Sequence, residues 1–130
     1  MTPIPAIGET AIVKPHGIER EHLWVVVTGV ATDGKAVMFN FTGWTLGNDH
    51  TCILKVGDHE FITKKTVIEY QRGILLTAEK WQSIVDNSDY VKPYKPVTTE
   101  VLKKIQNGAL HSEGRTEVEL QEIVRQFLVT

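Results

Sequence analysis

Five side chains able to bind a metal or move a proton fall within a short run of this chain: Asp49, His50, Cys52, Asp58 and His59. Imidazole and thiolate are ligands that zinc takes, and His50 and Cys52, two apart on a strand, would share a face. The spacing matches no standard zinc signature and supplies no fourth ligand. The expectation is therefore a small buried thiol at Cys52 and histidines that line turns, with no metal and no other cofactor. A second set joins aromatic rings to cations: Trp24, Trp44 and Tyr70 with Lys64, Lys65 and Arg72. Trp44 sits in a glycine-flanked loop, where an indole can stack on an unpaired base while Lys64, Lys65 and Arg72 hold a phosphate backbone. Tyr70 is grouped with these as substrate-binding, whereas Trp24 and Trp81 read as core.

Such groups need a frame, and hydrophobic periodicity supplies one. Val37, Phe39 and Phe41 alternate with Met38, Asn40 and Thr42 along a strand from Lys35 to Thr42. Leu23 to Val27 is an unbroken apolar run with β-branched residues, the pattern of a strand covered on both faces. Thr32-Asp33-Gly34 marks a tight turn between the two, so 22 to 42 reads as a hairpin. Further strands are expected at Glu9–Lys14, Cys52–Val56, Thr66–Tyr70 and Gly73–Leu76, with Phe61 and Ile62 at an edge. Short strands joined by tight turns predict a mainly β protein, a small curled barrel with C-terminal helices.

The period changes at Thr77, a candidate cap for a helix carrying Trp81, Ile84 and Val85. Asp86 to Pro96 reads as a linker because its prolines break regular structure. Val101, Leu102 and Ile105 mark a second helix that Gly108 is expected to stop. Thr116 and Glu119 form a capping-box pattern ahead of the stripe Leu120, Ile123, Val124, Phe127 and Leu128. That stripe should dock on the rest of the chain or on a second copy, with Phe127 as a buried aromatic. The domain reading is 1–88 for the barrel with its closing helix and 89–130 for the helical extension.

Composition narrows the partners. The chain has 130 residues, 42% hydrophobic and 23% charged, with a formal net charge of -2. That is one ordinary folded domain without the excess positive charge of a general polyanion binder. A single cysteine excludes an internal disulfide and suits a reducing compartment, so a cytoplasmic location is expected. No signal peptide and no apolar run long enough to span a membrane is apparent.

GIEREHLWVVVT followed by AVMFNFTGW resembles the core of the MazF/PemK-like toxins, as does the later KKTVIEYQRGILLTAEKW. In that family an arginine precedes an apolar strand, and the next strand ends in Ser or Thr; here Arg20 precedes LWVVVT and Thr42 ends VMFNFT. The resemblance spans roughly residues 8 to 85. It implies an SH3-like barrel, metal-independent cleavage of single-stranded RNA, a homodimer and an antitoxin partner. The chain departs from the pattern where Arg-Pro is replaced by Arg20-Glu21, in the shortened opening HGIE, and in the segment after 95.

The chemistry fits the residues that the resemblance selects. Cleavage of RNA by its own 2′-hydroxyl needs a base, a cation for the phosphorane and an acid for the leaving oxygen. Arg20 suits the charge, because a guanidinium contacts phosphate through two N–H groups and stays protonated. Thr42 can hydrogen-bond a phosphate oxygen. His22, two residues from Arg20, suits proton transfer. The alternative is a non-enzymatic module of the same fold that binds a protein or a nucleic acid.

Overall fold

Leu23, Val25 and Val27 enter one hydrophobic core while Trp24 and Val26 face another, and this alternation sets the architecture. The computed structural model describes residues 2–31, 33–112 and 116–129. Its strands are β1 (Thr10–Pro15), β2 (His22–Val26), β3 (Ala36–Gly43), β4 (Ile53–Leu54), β5 (Thr66–Ile68), β6 (Ile74–Leu76) and β7 (Ser88–Tyr94). Helices α1 (Ala78–Asp86), α2 (Thr99–His111) and α3 (Val118–Val129) follow β6 and β7, and a single 3-10 turn, Tyr70–Arg72, lies between β5 and β6.

The strands form one antiparallel sheet in the order β4-β5-β3-β2-β1-β7, with β6 paired to β3 off that path. β3 changes partner along one edge. Its first half pairs with β6, Ala36 opposite Leu76, and its last residues pair with β5, Gly43 opposite Thr66. The strand path stays open between β4 and β7. A β-rich protein with C-terminal helices is therefore present. The expected closure is not, because helices cover both faces and bury the apolar surface that a closed barrel would bury on itself.

One face holds Leu23, Val25, Val37, Phe39 and Phe41 against Ile105 and Ala109 of α2 and Leu120 and Val124 of α3. The other holds Ala11, Val26, Ala36 and Met38 against Trp81 of α1. Thr77 caps α1 by accepting from the Lys80 N–H at 3.1 Å, as its sequence position suggests. α3 docks through Leu120 and Val124, whereas Phe127 is only half-buried and Leu128 is exposed. No helix is long and apolar enough to cross a membrane among the described residues.

Three expectations about elements need correction. The 86–96 segment contains β7, which pairs with β1 from Thr10↔Tyr94 to Pro15↔Ser88. Pro93 is tolerated there because β7 is an edge strand, where a missing N–H leaves no ladder bond unmade. The 89–130 segment thus begins inside the sheet. α2 runs through Gly108 to His111 instead of stopping there. A Cβ at Gly108 would overlap the Tyr70 hydroxyl and lie 3.2 Å from Cys52 Cβ, so the glycine is there to let the phenol in. Finally, Phe61 and Ile62 are not a strand, and Thr66–Tyr70 ends as β5 followed by the 3-10 turn. In the 32–34 turn Gly34 has φ +77°, and Thr32 lies outside the described residues.

Candidate functional site

The start of β2 and the end of β3 lie at the same end of the sheet because a hairpin brings them there. His22 opens β2 opposite Val13, and Thr42 and Gly43 close β3 opposite Val67 and Thr66. A cleft of about 150 Å³ opens at this end, lined by Arg20, Glu21, His22, Thr42 and Lys64, with Phe41 and Phe61 among its apolar walls. Arg20, Glu21 and Lys64 are exposed, His22 and Thr42 are half-buried, and Phe41 is buried. Lys64 reaches the cleft by lying across Gly43. A Cβ there would meet Lys64 Cε at 2.9 Å and Nζ at 3.1 Å, so a side chain at 43 would push the ammonium aside.

Chemically, this cleft holds a guanidinium, an ammonium, an imidazole, a hydroxyl and a carboxylate. Two cations beside a hydroxyl suit an anion with several oxygens, such as a phosphodiester. The carboxylate of Glu21 accepts a hydrogen bond from the Tyr90 hydroxyl of β7. That hydrogen bond, ahead of desolvation and the carboxylate's charge, raises the Tyr90 pKa above its ordinary value, which keeps the phenol protonated and donating.

The remaining sequence-selected residues are placed elsewhere. Trp44 stacks on His50 with ring centroids 4.7 Å apart, and the Lys65 ammonium lies 4.6 Å from its ring centre. His50 Nε2 is 2.6 Å from the Thr45 carbonyl, which fixes it as the donor. Trp44 and Lys65 thus engage each other beside the cleft instead of lining it. Arg72 is exposed on the 3-10 turn and pairs with Glu69 at 3.4 Å, away from the cleft lining. Tyr70 must be removed from the substrate-binding set. It is fully buried, its hydroxyl donates to the Ile105 carbonyl at 2.8 Å, and its ring meets Phe39 edge-on at 5.0 Å.

The run of metal-binding types is dispersed by the fold. Cys52 is buried, and burial pushes its thiol pKa up. His59 is buried with Nε2 donating to the Lys95 carbonyl at 2.6 Å and Nδ1 accepting from the Phe61 N–H at 3.1 Å, so both nitrogens are engaged. Asp58 accepts from the Lys55 N–H at 2.9 Å, and buried Asp49 accepts from Thr51 and from Ser112. Among the described residues no group of three or more His, Cys, Asp and Glu side chains is arranged to hold a metal ion.

Sequence reasoning missed Glu21, Phe61 and Tyr90 as parts of the site. Glu21 was signalled by its place between Arg20 and His22. Tyr90 carried no such signal, because its strand reads as a linker. No protein-family model matches this chain, and no curated protein matches it in sequence.

Proposed function

We propose that the cleft at the end of β2 and β3 cleaves single-stranded RNA, in a relative of the MazF/PemK-like toxins. The observation that supports this is that Arg20 and His22 from one segment, Thr42 from the end of β3 and Lys64 from a third segment line one cleft. RNA carries its own nucleophile in the 2′-hydroxyl, so the protein needs to position it, stabilise charge and move protons. Arg20 and Lys64 hold the phosphate oxygens, and Arg20 opposes the extra negative charge of the phosphorane. Thr42 donates to a phosphate oxygen. His22, half-buried at the edge of the cleft, carries a proton.

The fold lineage belongs to the proposal. The antiparallel sheet, with a 3-10 turn between two strands that share one edge of β3, is read as an SH3-like barrel opened by helices on both faces. A cytoplasmic homodimer held in check by an antitoxin completes this reading.

The test is cleavage of a mixed-sequence single-stranded RNA with a chelator present. Cutting by the wild type that is lost in Arg20→Ala, with the melting temperature unchanged, supports the proposal; RNA left whole by the wild type ends it. A non-enzymatic binding module is the second reading. It is favoured by an apolar groove of about 430 Å³ between α3 and the 28–31 segment, lined by Val30, Ile123 and Phe127. Growth arrest on expression of the intact chain separates the two, because a binding module is harmless.

A further inference from the structure

We infer that Glu21 is the general base of the cleft and His22 its general acid, and that Tyr90 positions the Glu21 carboxylate. This inference rests on the ribonuclease reading. Its geometric basis is the adjacency of Glu21 and His22 on the cleft lining and the hydrogen bond from the Tyr90 hydroxyl to Glu21.

An arginine cannot serve as a base at neutral pH, and one histidine cannot both take the proton from the nucleophile and give one to the leaving oxygen in a single step. The cleft holds one other group that can take a proton there, the Glu21 carboxylate. β7 pairs alongside β1 and presents Tyr90 to it, so a residue on an exposed segment gains a fixed partner. The titratable and charged groups around Glu21 are Arg20 and His22 from its own segment, Lys64 on the same cleft lining, and the neutral Tyr90 hydroxyl from β7. Around Tyr90, the Lys92 ammonium lies 4.5 Å from its ring centre. The neighbouring Asp89 is held by Lys14 at 2.5 Å and His16 at 2.9 Å.

The step balances within these groups. Glu21 takes the 2′-hydroxyl proton as the O2′–phosphorus bond forms. The phosphorus–O5′ bond breaks, and O5′ takes a proton from the His22 imidazolium. The products are a 2′,3′-cyclic phosphate and a 5′-hydroxyl, and water returns the proton from Glu21 to His22. Thr42, Arg20 and Lys64 keep the roles given above.

The experiment compares pH–rate profiles of RNA cleavage for wild type, Glu21→Gln, Glu21→Asp, His22→Ala and Tyr90→Phe, each checked for an unchanged melting temperature. Wild type should give a bell. Glu21→Gln should lose about 100-fold or more and the rising limb with it, the usual worth of a positioned base. Glu21→Asp should restore that limb at a lower rate. His22→Ala should lose the falling limb. Tyr90→Phe should lower kcat about tenfold and leave KM unchanged, because the carboxylate loses the donor that fixes its place. Active wild type with Glu21→Gln within threefold of it and an unmoved rising limb overturns the inference and leaves the ribonuclease reading standing. An unchanged kcat in Tyr90→Phe overturns the assignment of Tyr90. Wild type that cuts no RNA overturns both readings together.

Discussion

The contact around Tyr70 and the cleft around Arg20 are made from similar residue types and behave in opposite ways. Tyr70 is sealed among Phe39, Cys52 and Gly108, and its hydroxyl is spent on the Ile105 carbonyl. At the cleft, Phe41 and Phe61 form walls while Arg20, Glu21 and Lys64 remain in solvent. Buried polar groups cost free energy unless they are paired, so the first contact admits nothing further. The second leaves its polar groups available to a ligand. Proximity in sequence to an aromatic or a cation therefore says little about function; access to solvent divides the two regions.

The largest expected effect breaks the cleft alone. Arg20→Ala should lower RNA cleavage by about 10²–10³-fold, the usual worth of a donor aimed at transition-state charge. Its melting temperature should stay within error, because an exposed arginine adds little to stability. A variant that cleaves as fast as wild type would detach Arg20 from the chemistry.

Next, the buried contact can be broken without touching the cleft. Gly108→Val must drive Tyr70 out of its place, which combines overpacking with a lost buried hydrogen bond and should cost about 3–5 kcal/mol. Urea unfolding measures that cost. A loss below 1 kcal/mol, on the order of experimental error for such a change, would show that the phenol does not lie where the glycine admits it. The milder Tyr70→Phe removes the hydroxyl alone and should cost about 1–2 kcal/mol with cleavage unchanged.

The terminal helix offers a graded comparison. Leu120 is 1% exposed, and Leu120→Ala should cost about 2–5 kcal/mol. Half-buried Phe127 should cost less than the full aromatic penalty, about 1–2 kcal/mol for Phe127→Ala. Equal losses at the two positions would mean that Phe127 is covered in solution by a second surface.

The smallest effect is one of pH. Burial raises the Cys52 pKa in the folded chain above its ordinary value of 9.0. The thiolate is thus better accommodated in the unfolded chain. The stabilisation is fully present below that ordinary value and is lost as pH rises from there toward the folded value. Tyr70 shifts in the same direction through burial and adds to the decline at higher pH. Unfolding free energy should therefore fall above about pH 9. Cys52→Ala should flatten the first part of that fall, and an identical slope in the variant would remove the thiol as its source.

Much of this molecule was legible in the residues themselves. The 22–42 hairpin followed from the alternation of Val37, Phe39 and Phe41 and from the β-branched run at Leu23–Val27. The cap at Thr77 and the docking of α3 followed from local pattern as well. β7 was not legible, because Pro93 and Pro96 look like breaks until the strand is known to lie at an edge. The lining of the candidate cleft was half-legible. Arg20, His22 and Thr42 were selected by type and order, and the hairpin carried them to one end of the sheet.

What the sequence determined by itself is therefore local: which stretches alternate, which turn, and which side chains are chemically able. Tertiary structure decided which of those able side chains keep solvent access. Tyr70 and Cys52 lost it because α2 packs on them, and Gly108 is the residue that lets it pack so closely. Glu21 gained a partner because β7 pairs alongside β1 and delivers Tyr90 from 69 positions away. Contacts over that separation depend on how strands are ordered in a sheet. A period of two or of 3.6 along the chain carries no record of that order.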